Sequence, residues 1–163
     1  MMKKAIVIFM IAAMFASCGD DGPKKVELKE GEKIINTFTN GTPQIVREMV
    51  EKDGKLEAVY EKEYYEDGNL LKEGPIINNQ RDGLWKSYYR SGKLWSEGYY
   101  EGGTRNDSIK GYYTNGQLKY VGIFDHGQKT DTWIYYDENG KLIENKVYMK
   151  PGEKREADIY IPE

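Results

Sequence analysis

A chain of 163 residues with 13% aromatics, 14 of them tyrosine, carries too much large apolar surface to be disordered. Its mean hydropathy of −0.77 argues against an integral membrane body, and its mixed charge, net −3, lacks the basic stripe that nucleic-acid binding needs. With 18 Gly against 5 Pro, many tight turns between pleated segments are expected.

The first predicted element, residues 1–17, is a targeting segment. Lys3 and Lys4 form a basic start, and 5–15 is an uncharged apolar run of 11 residues. That run is too short to cross about 30 Å of hydrocarbon as a helix and suits a signal-peptide core. It ends in Phe15-Ala16-Ser17-Cys18. Small residues before a cysteine resemble the lipobox of bacterial lipoproteins, with Phe15 where that motif usually has Leu. The resemblance implies that Cys18 receives a diacylglycerol and that cleavage falls just before it. Cys18 is the sole cysteine, so it has no intramolecular disulfide partner. Removal of 1–17 takes away Lys3 and Lys4 and no acids, leaving a net charge of about −5. Residues 18–33 are polar, without apolar period, and read as the lipidated Cys18 followed by a flexible tether. Asp20 and Asp21 after Gly19 resemble the acidic export signals of surface-displayed lipoproteins. The expected location is therefore the outer membrane, on its periplasmic or its exposed side.

Residues 34–150 are repetitive. Tyr-Tyr-Glu-Asp-Gly68-Asn-Leu recurs around Gly92, Gly116 and, as Tyr-Asp-Glu-Asn-Gly-Lys-Leu, around Gly140, 24 residues apart each time. Tyr64, Tyr88, Tyr112 and Tyr136 stand four positions before these glycines, and Leu70, Leu94, Leu118 and Leu142 two after. Gly74, Gly98 and Gly122 follow at six, where the last repeat has Lys146. Trp85 and Trp133 are equivalent, with Ile109 between them. Phe38-Thr39-Asn40-Gly41 is a degenerate earlier copy and Asp53-Gly54 a further turn, giving about four and a half repeats.

Asp67-Gly68, Asn115-Gly116 and Asn139-Gly140 are predicted as two-residue type I′ turns, in which both central residues need positive φ. Their Tyr-, Trp-, Ile- and Val-rich flanks suit strands. A two-residue turn pairs Tyr65 with Leu70, Tyr89 with Leu94 and Tyr113 with Leu118. It also sets Trp85 opposite Gly98, whose missing side chain leaves room for an indole. Tyr64, Tyr88, Tyr112 and Tyr136 then form a ladder on the other face, with Trp95 on the face of Tyr88. No segment after residue 17 has helical period. The predicted fold class is all-β, an extended antiparallel β-hairpin array with a 24-residue period. Array ends need covering. Residues 151–163, with Asp158-Ile159-Tyr160-Ile161, are the predicted C-terminal cap, and 34–60 cover the other end.

The four cores Tyr64–Leu70, Tyr88–Leu94, Tyr112–Leu118 and Tyr136–Leu142 resemble the MORN-repeat family, in its bacterial Tyr-Tyr-x-Asn-Gly-x-Leu variant, over about two-thirds of the chain. The resemblance implies a β-hairpin array used as a scaffold or attachment module. Many bacterial members also carry an antitoxin label of the YwqK type. Fold analogy alone does not fix function.

Residues for chemistry are sparse. His126, the single histidine, sits in Phe124-Asp125-His126-Gly127 and reads as an exposed turn residue. No multi-histidine metal site can be built, and no second cysteine replaces one. Nucleophile elbow, phosphate loop and dinucleotide fingerprint are missing from the sequence. Repeated acids such as Glu73 and Glu97 read as a solvated face copied with the repeat rather than as a glycosidase pair. No enzymatic activity, cofactor or metal is therefore expected. Binding is expected from the aromatic columns: Trp95, irregular among its equivalents Leu71, Lys119 and Ile143, and Tyr64, Tyr88, Tyr112 and Tyr136. The same rings also serve as the core of a thin sheet. Asp107-Ser108-Ile109 resembles a short O-glycosylation motif. The expected function is a non-enzymatic scaffold, held to the membrane by its lipid, that binds a protein partner in the envelope. The alternatives are an antitoxin or immunity-type protein that neutralises a toxin, and a glycan-binding lipoprotein.

Overall fold

The computed structural model describes residues 22–150 and 152–153. The targeting segment, Cys18, Asp20, Asp21 and the strand expected at 158–161 lie outside the described residues. Eleven strands follow along the chain: β1 (Glu32–Thr37), β2 (Pro43–Lys52), β3 (Lys55–Tyr64), β4 (Leu70–Ile77), β5 (Gln80–Arg81), β6 (Gly83–Tyr88), β7 (Leu94–Glu101), β8 (Thr104–Tyr112), β9 (Leu118–Asp125), β10 (Gln128–Tyr136) and β11 (Leu142–Tyr148). They form one antiparallel sheet in the order β1-β2-β3-β4-β6-β7-β8-β9-β10-β11, with β5 paired to β4 beside that path. The expected all-β hairpin array is the observed fold. Each hairpin packs on its sequence neighbours, so stability accumulates from adjacent units.

The two margins of the sheet use different turns. At one margin the loops are Phe38–Gly41, Tyr65–Gly68, Tyr89–Gly92, Tyr113–Gly116 and Asp137–Gly140. In each, the glycine N–H donates to the carbonyl three residues back, at 2.8–3.0 Å. At Tyr65–Gly68 the glycine has φ 79°, whereas Asp67 keeps an ordinary negative φ. These are three-residue loops, a type I turn closed by a left-handed glycine, and not the two-residue turns expected. The Asp or Asn before the glycine acts through its side chain. Asn40, Asp67 and Asn115 each accept the backbone N–H two residues on, at 2.9–3.1 Å. At the opposite margin, Asp53-Gly54, Asn78-Asn79, Gly102-Gly103 and His126-Gly127 have positive φ at both positions and form the type I′ turns.

The longer loop shifts the register. Leu70, Leu94, Leu118 and Leu142 pair with Tyr64, Tyr88, Tyr112 and Tyr136, one residue earlier than expected. The next residue on the returning strand, Leu71, Trp95, Lys119 or Ile143, is bulged out of the ladder. That extra residue offsets the extra loop residue. Trp85 consequently does pair with Gly98, as predicted, by a different route. A second irregularity recurs at Gly83, Asp107 and Asp131, 24 residues apart, with φ of 94°, 67° and 58°. The ladder skips at Asp107 and Asp131, and at Asp82–Gly83 the break separates β5 from β6. Such bulges re-aim the side chains that follow. Two residues on come Trp85, Ile109 and Trp133.

Those three, with Val46 and Ile76, are the buried apolar side chains among the described residues. The Trp85 indole N–H donates to the Pro75 carbonyl at 2.8 Å, and that of Trp133 to the Ile123 carbonyl at 3.1 Å. Room for Trp85 comes from Gly74, where a Cβ would lie 2.5 Å from the indole. Gly122 makes the same room for Trp133. Gly98, predicted to accommodate Trp85, backs onto Ile109 instead. Trp85 has a glycine beside it on both neighbouring strands, and its ring leans toward β4 rather than β7.

The segment read as a tether meets the sheet well before residue 33. The Lys24 N–H donates to the Asp67 carbonyl (2.8 Å), its ammonium donates to Asn69 Oδ1 (2.7 Å), and β1 begins at Glu32. Gly68 makes this docking feasible, because any side chain there would collide with the Lys24 backbone.

Candidate binding surface

The tyrosine ladder is tied into the repeat. Tyr88 donates its hydroxyl to Glu73 Oε1 and Tyr112 to Glu97 Oε1, each at 2.8 Å. Burial, reinforced by these carboxylates, pushes the Tyr112 phenol up to about 12, raises Tyr88 as well, and pushes Tyr60, which faces Glu73, up to about 12. Tyr64 is raised chiefly by burial. The hydroxyls of Tyr64 and Tyr136 make no equivalent bond among the described residues. The neighbouring tyrosines staple successive repeats. Tyr65 donates to the Tyr88 carbonyl, Tyr89 to that of Tyr112 and Tyr113 to that of Tyr136, at 2.8–2.9 Å.

Trp95 is 45% exposed. The two-residue turn puts it on the face of Tyr88, but the bulge carries it against Tyr89, with ring centroids 6.3 Å apart. Its equivalent Lys119 holds its ammonium 5.1 Å from the Tyr113 ring, so the position has one location with changing chemistry. Trp95 and the tyrosine ladder therefore do not form one site.

A second constellation is assembled by the repeat. Arg81, Arg105 and Lys129 stand 24 residues apart, as do Tyr100, Phe124 and Tyr148. In the sheet they interleave. The Arg81 guanidinium lies 4.4 Å from the Trp85 ring centroid and 5.5 Å from that of Tyr100. Arg105 lies 6.0 Å from Tyr100 and 5.4 Å from Phe124, and its Nε donates to the Tyr100 hydroxyl at 3.1 Å. The Lys129 ammonium lies 4.0 Å from Trp133 and 5.2 Å from Tyr148. Each such contact contributes about 0.5–1 kcal/mol when exposed. Trp133 also packs against Tyr120, Phe124, Tyr135 and Tyr148 at 5.2–6.2 Å.

Arg81 is paired with Glu63 at 3.1 Å. Arg105 and Lys129 are exposed and make no ion pair among the described residues. Between Arg81 and Arg105 lies a niche of about 20 Å³, walled by Trp85 and Tyr100 and lined by Ser87 and Ser96. Sequence reasoning had not singled out this track. The signal was present in its 24-residue spacing, outside the Tyr-Tyr-x-x-Gly-x-Leu core.

The N-terminal strands differ, being cross-linked by ion pairs: Arg47–Glu61 at 2.7 Å, Lys62–Glu32 at 2.6 Å and Lys72–Glu63 at 2.8 Å. Burial would raise the Glu32 carboxyl, but the Lys29 N–H and the Lys62 ammonium hold it below its usual range. His126 is an exposed turn residue beside Asp125, as expected. Ser108 is half-buried within β8, next to the left-handed Asp107. Among the described residues no three His, Cys, Asp or Glu side chains converge as metal ligands. No described helix is long and apolar enough to cross a membrane.

The family model described as MORN repeat variant matches residues 59–78, 81–101, 109–126 and 132–149. Each match spans a hairpin built around one three-residue Gly loop. Four stretches of the chain are thus similar to this repeat. β1 and β2 extend the sheet on the N-terminal side of these matches. No curated protein matches the chain. Among solved structures, a chain of the "Crystal structure of GtfA/B complex bound to UDP and GlcNAc" is similar at 18% identity and a TM-score of 0.42, over 79% of this chain and 27% of that one. The present chain thus spans about a quarter of that neighbour's length.

Proposed function

We propose that this MORN-repeat chain is a non-enzymatic binding scaffold of the bacterial envelope, anchored through a lipid on Cys18 and holding another envelope component on its sheet. The observation that carries the reading is the cation–aromatic track. A one-layer sheet leaves it open, and two of its cations, Arg105 and Lys129, have no internal counter-charge among the described residues. Aromatic and Arg side chains are the groups that dominate binding surfaces. Anchoring is supported by the apolar run ending at Cys18 and by the basic residues before it. An anchored array docked at Lys24 would keep its sheet a short distance from the membrane, within reach of envelope components.

The test is site-specific photocrosslinking in intact cells at native expression. A crosslinking residue at Phe124 reports on the track, and one at Tyr99 reports on the other face. A discrete adduct from Phe124 and none from Tyr99 is expected. Absence of adducts from both positions removes the scaffold reading. Cys18→Ala should leave the protein uncleaved or free of the membrane; unchanged membrane fractionation and processing would remove the lipid anchor.

A further inference from the structure

We infer that the cation–aromatic track is a binding site for an acidic polysaccharide, one that carries its negative charges at intervals rather than on every unit. The inference rests on the scaffold reading and names the ligand class of its surface. Strands in a sheet lie about 4.8 Å apart, so two strands per repeat place Arg81, Arg105 and Lys129 roughly 10 Å from one another. Between successive cations stand the half-buried rings of Tyr100 and Phe124, with Tyr148 beyond Lys129. A matching ligand alternates an anionic group with a flat, weakly polar unit.

A glycan with one carboxylate per disaccharide has that form: acids meet the cations, and sugar faces lie on the rings. The niche between Arg81 and Arg105 admits a single oxygen-sized group, and Ser87 and Ser96 line it. Nucleic acid fits poorly, because a phosphate about every 3.4 Å of strand would leave most of its charge unmatched. The chain's overall charge of −3 makes the contrast sharper, since attraction arises at this track and not from the molecule as a whole.

The opposite face supplies an internal control. Lys110 is exposed on β8, and it borders a hollow with Leu84, Glu97 and Tyr99 rather than the niche. The experiment is calorimetric titration of the protein with hyaluronan oligosaccharides. Neutral dextran and polyglutamate serve as comparison probes. Wild type should bind hyaluronan and ignore dextran. The double variant Arg105→Gln with Lys129→Gln should lose about tenfold or more in affinity, the scale of two lost charge-assisted contacts. Lys110→Gln should bind as wild type, and a single cooperative urea transition in every variant confirms folding, with the double variant's midpoint lowered by its lost ring contacts.

Four results would overturn the inference: no binding of hyaluronan, equal binding of polyglutamate, equal loss in Lys110→Gln, or full affinity in the double variant. If hyaluronan fails while Phe124 still crosslinks in cells, the scaffold stands and only its ligand class falls. If both fail, the scaffold reading falls as well.

Discussion

The repeats containing Trp85 and Trp133 differ from the one between them in how they fill the same place. Each indole lies over a glycine, Gly74 or Gly122, and returns its N–H to a backbone carbonyl ten residues earlier. In the middle repeat Ile109 takes the position, with no N–H to donate, and a Cβ on Gly98 would lie 3.2 Å from its nearest side-chain atom. The glycine column is therefore an accommodation made by one strand for a ring on the next. Its necessity depends on the ring, not on the place in the repeat. Lys146, which breaks the column, is consistent with this. It stands on β11, and among the described residues no further strand brings a tryptophan over it.

Substitutions can break or sharpen this comparison. The largest effect is expected for Trp133→Ala and Trp85→Ala, about 3–5 kcal/mol each as typical of buried aromatics, against about 2 kcal/mol for Ile109→Ala. Urea unfolding measures all three, and equal losses would mean that the indoles are not the keystones of their repeats. Next comes Gly74→Ala, where overpacking against the Trp85 indole should cost about 1–3 kcal/mol, while Gly98→Ala should cost under about 1 kcal/mol because Ile109 has only tenths of an ångström to give. A reversed order in thermal midpoints would contradict the account of the column.

Smaller still is the effect expected for Ile109→Trp. Gly98 already leaves space, and the new N–H has the Tyr99 carbonyl at the same ten-residue offset, so stability should stay within about 1 kcal/mol. A cost as large as that of Gly74→Ala would show that the middle repeat has closed around isoleucine.

The tyrosine–carboxylate face gives a pH test independent of the tryptophans. Tyr60 and Tyr112 titrate near 10 when unfolded and at about 12 when folded. The folded chain therefore holds these phenol protons more tightly. Their contribution to stability should be level below pH 10 and fall as pH rises from about 10 to 12. Glu73→Gln removes one of the charges that raise Tyr60 and Tyr88 and should make that fall shallower. An alkaline denaturation profile unchanged by Glu73→Gln would deny the coupling.

Much of this architecture was legible in residues. The spacing of Gly68, Gly92, Gly116 and Gly140 is enough to predict a hairpin array, and Trp85 pairs with Gly98 as its register requires. The turn type did not. Asp67-Gly68 and Asn115-Gly116 have the composition of a type I′ turn, but Asp67 and Asn115 act as side-chain acceptors inside a longer loop, which composition does not reveal. Trp95 fell on the wrong side for the same reason, since a bulge follows from the loop length and cannot be counted from a two-residue turn. The site was less legible than the fold. Arg81, Arg105 and Lys129 change identity along their column, and their meaning comes from the rings that neighbouring strands carry to them.

The staples from Tyr65, Tyr89 and Tyr113 reach only to the next repeat. This gives the molecule an adjustable length. Duplicating one 24-residue unit in frame would bring its own glycine loop, staple and cation, and would extend the sheet by roughly two strand spacings, about 10 Å, without asking any existing residue to change. The length of sheet such a protein presents can thus be set by unequal crossing-over within its gene rather than by point substitution.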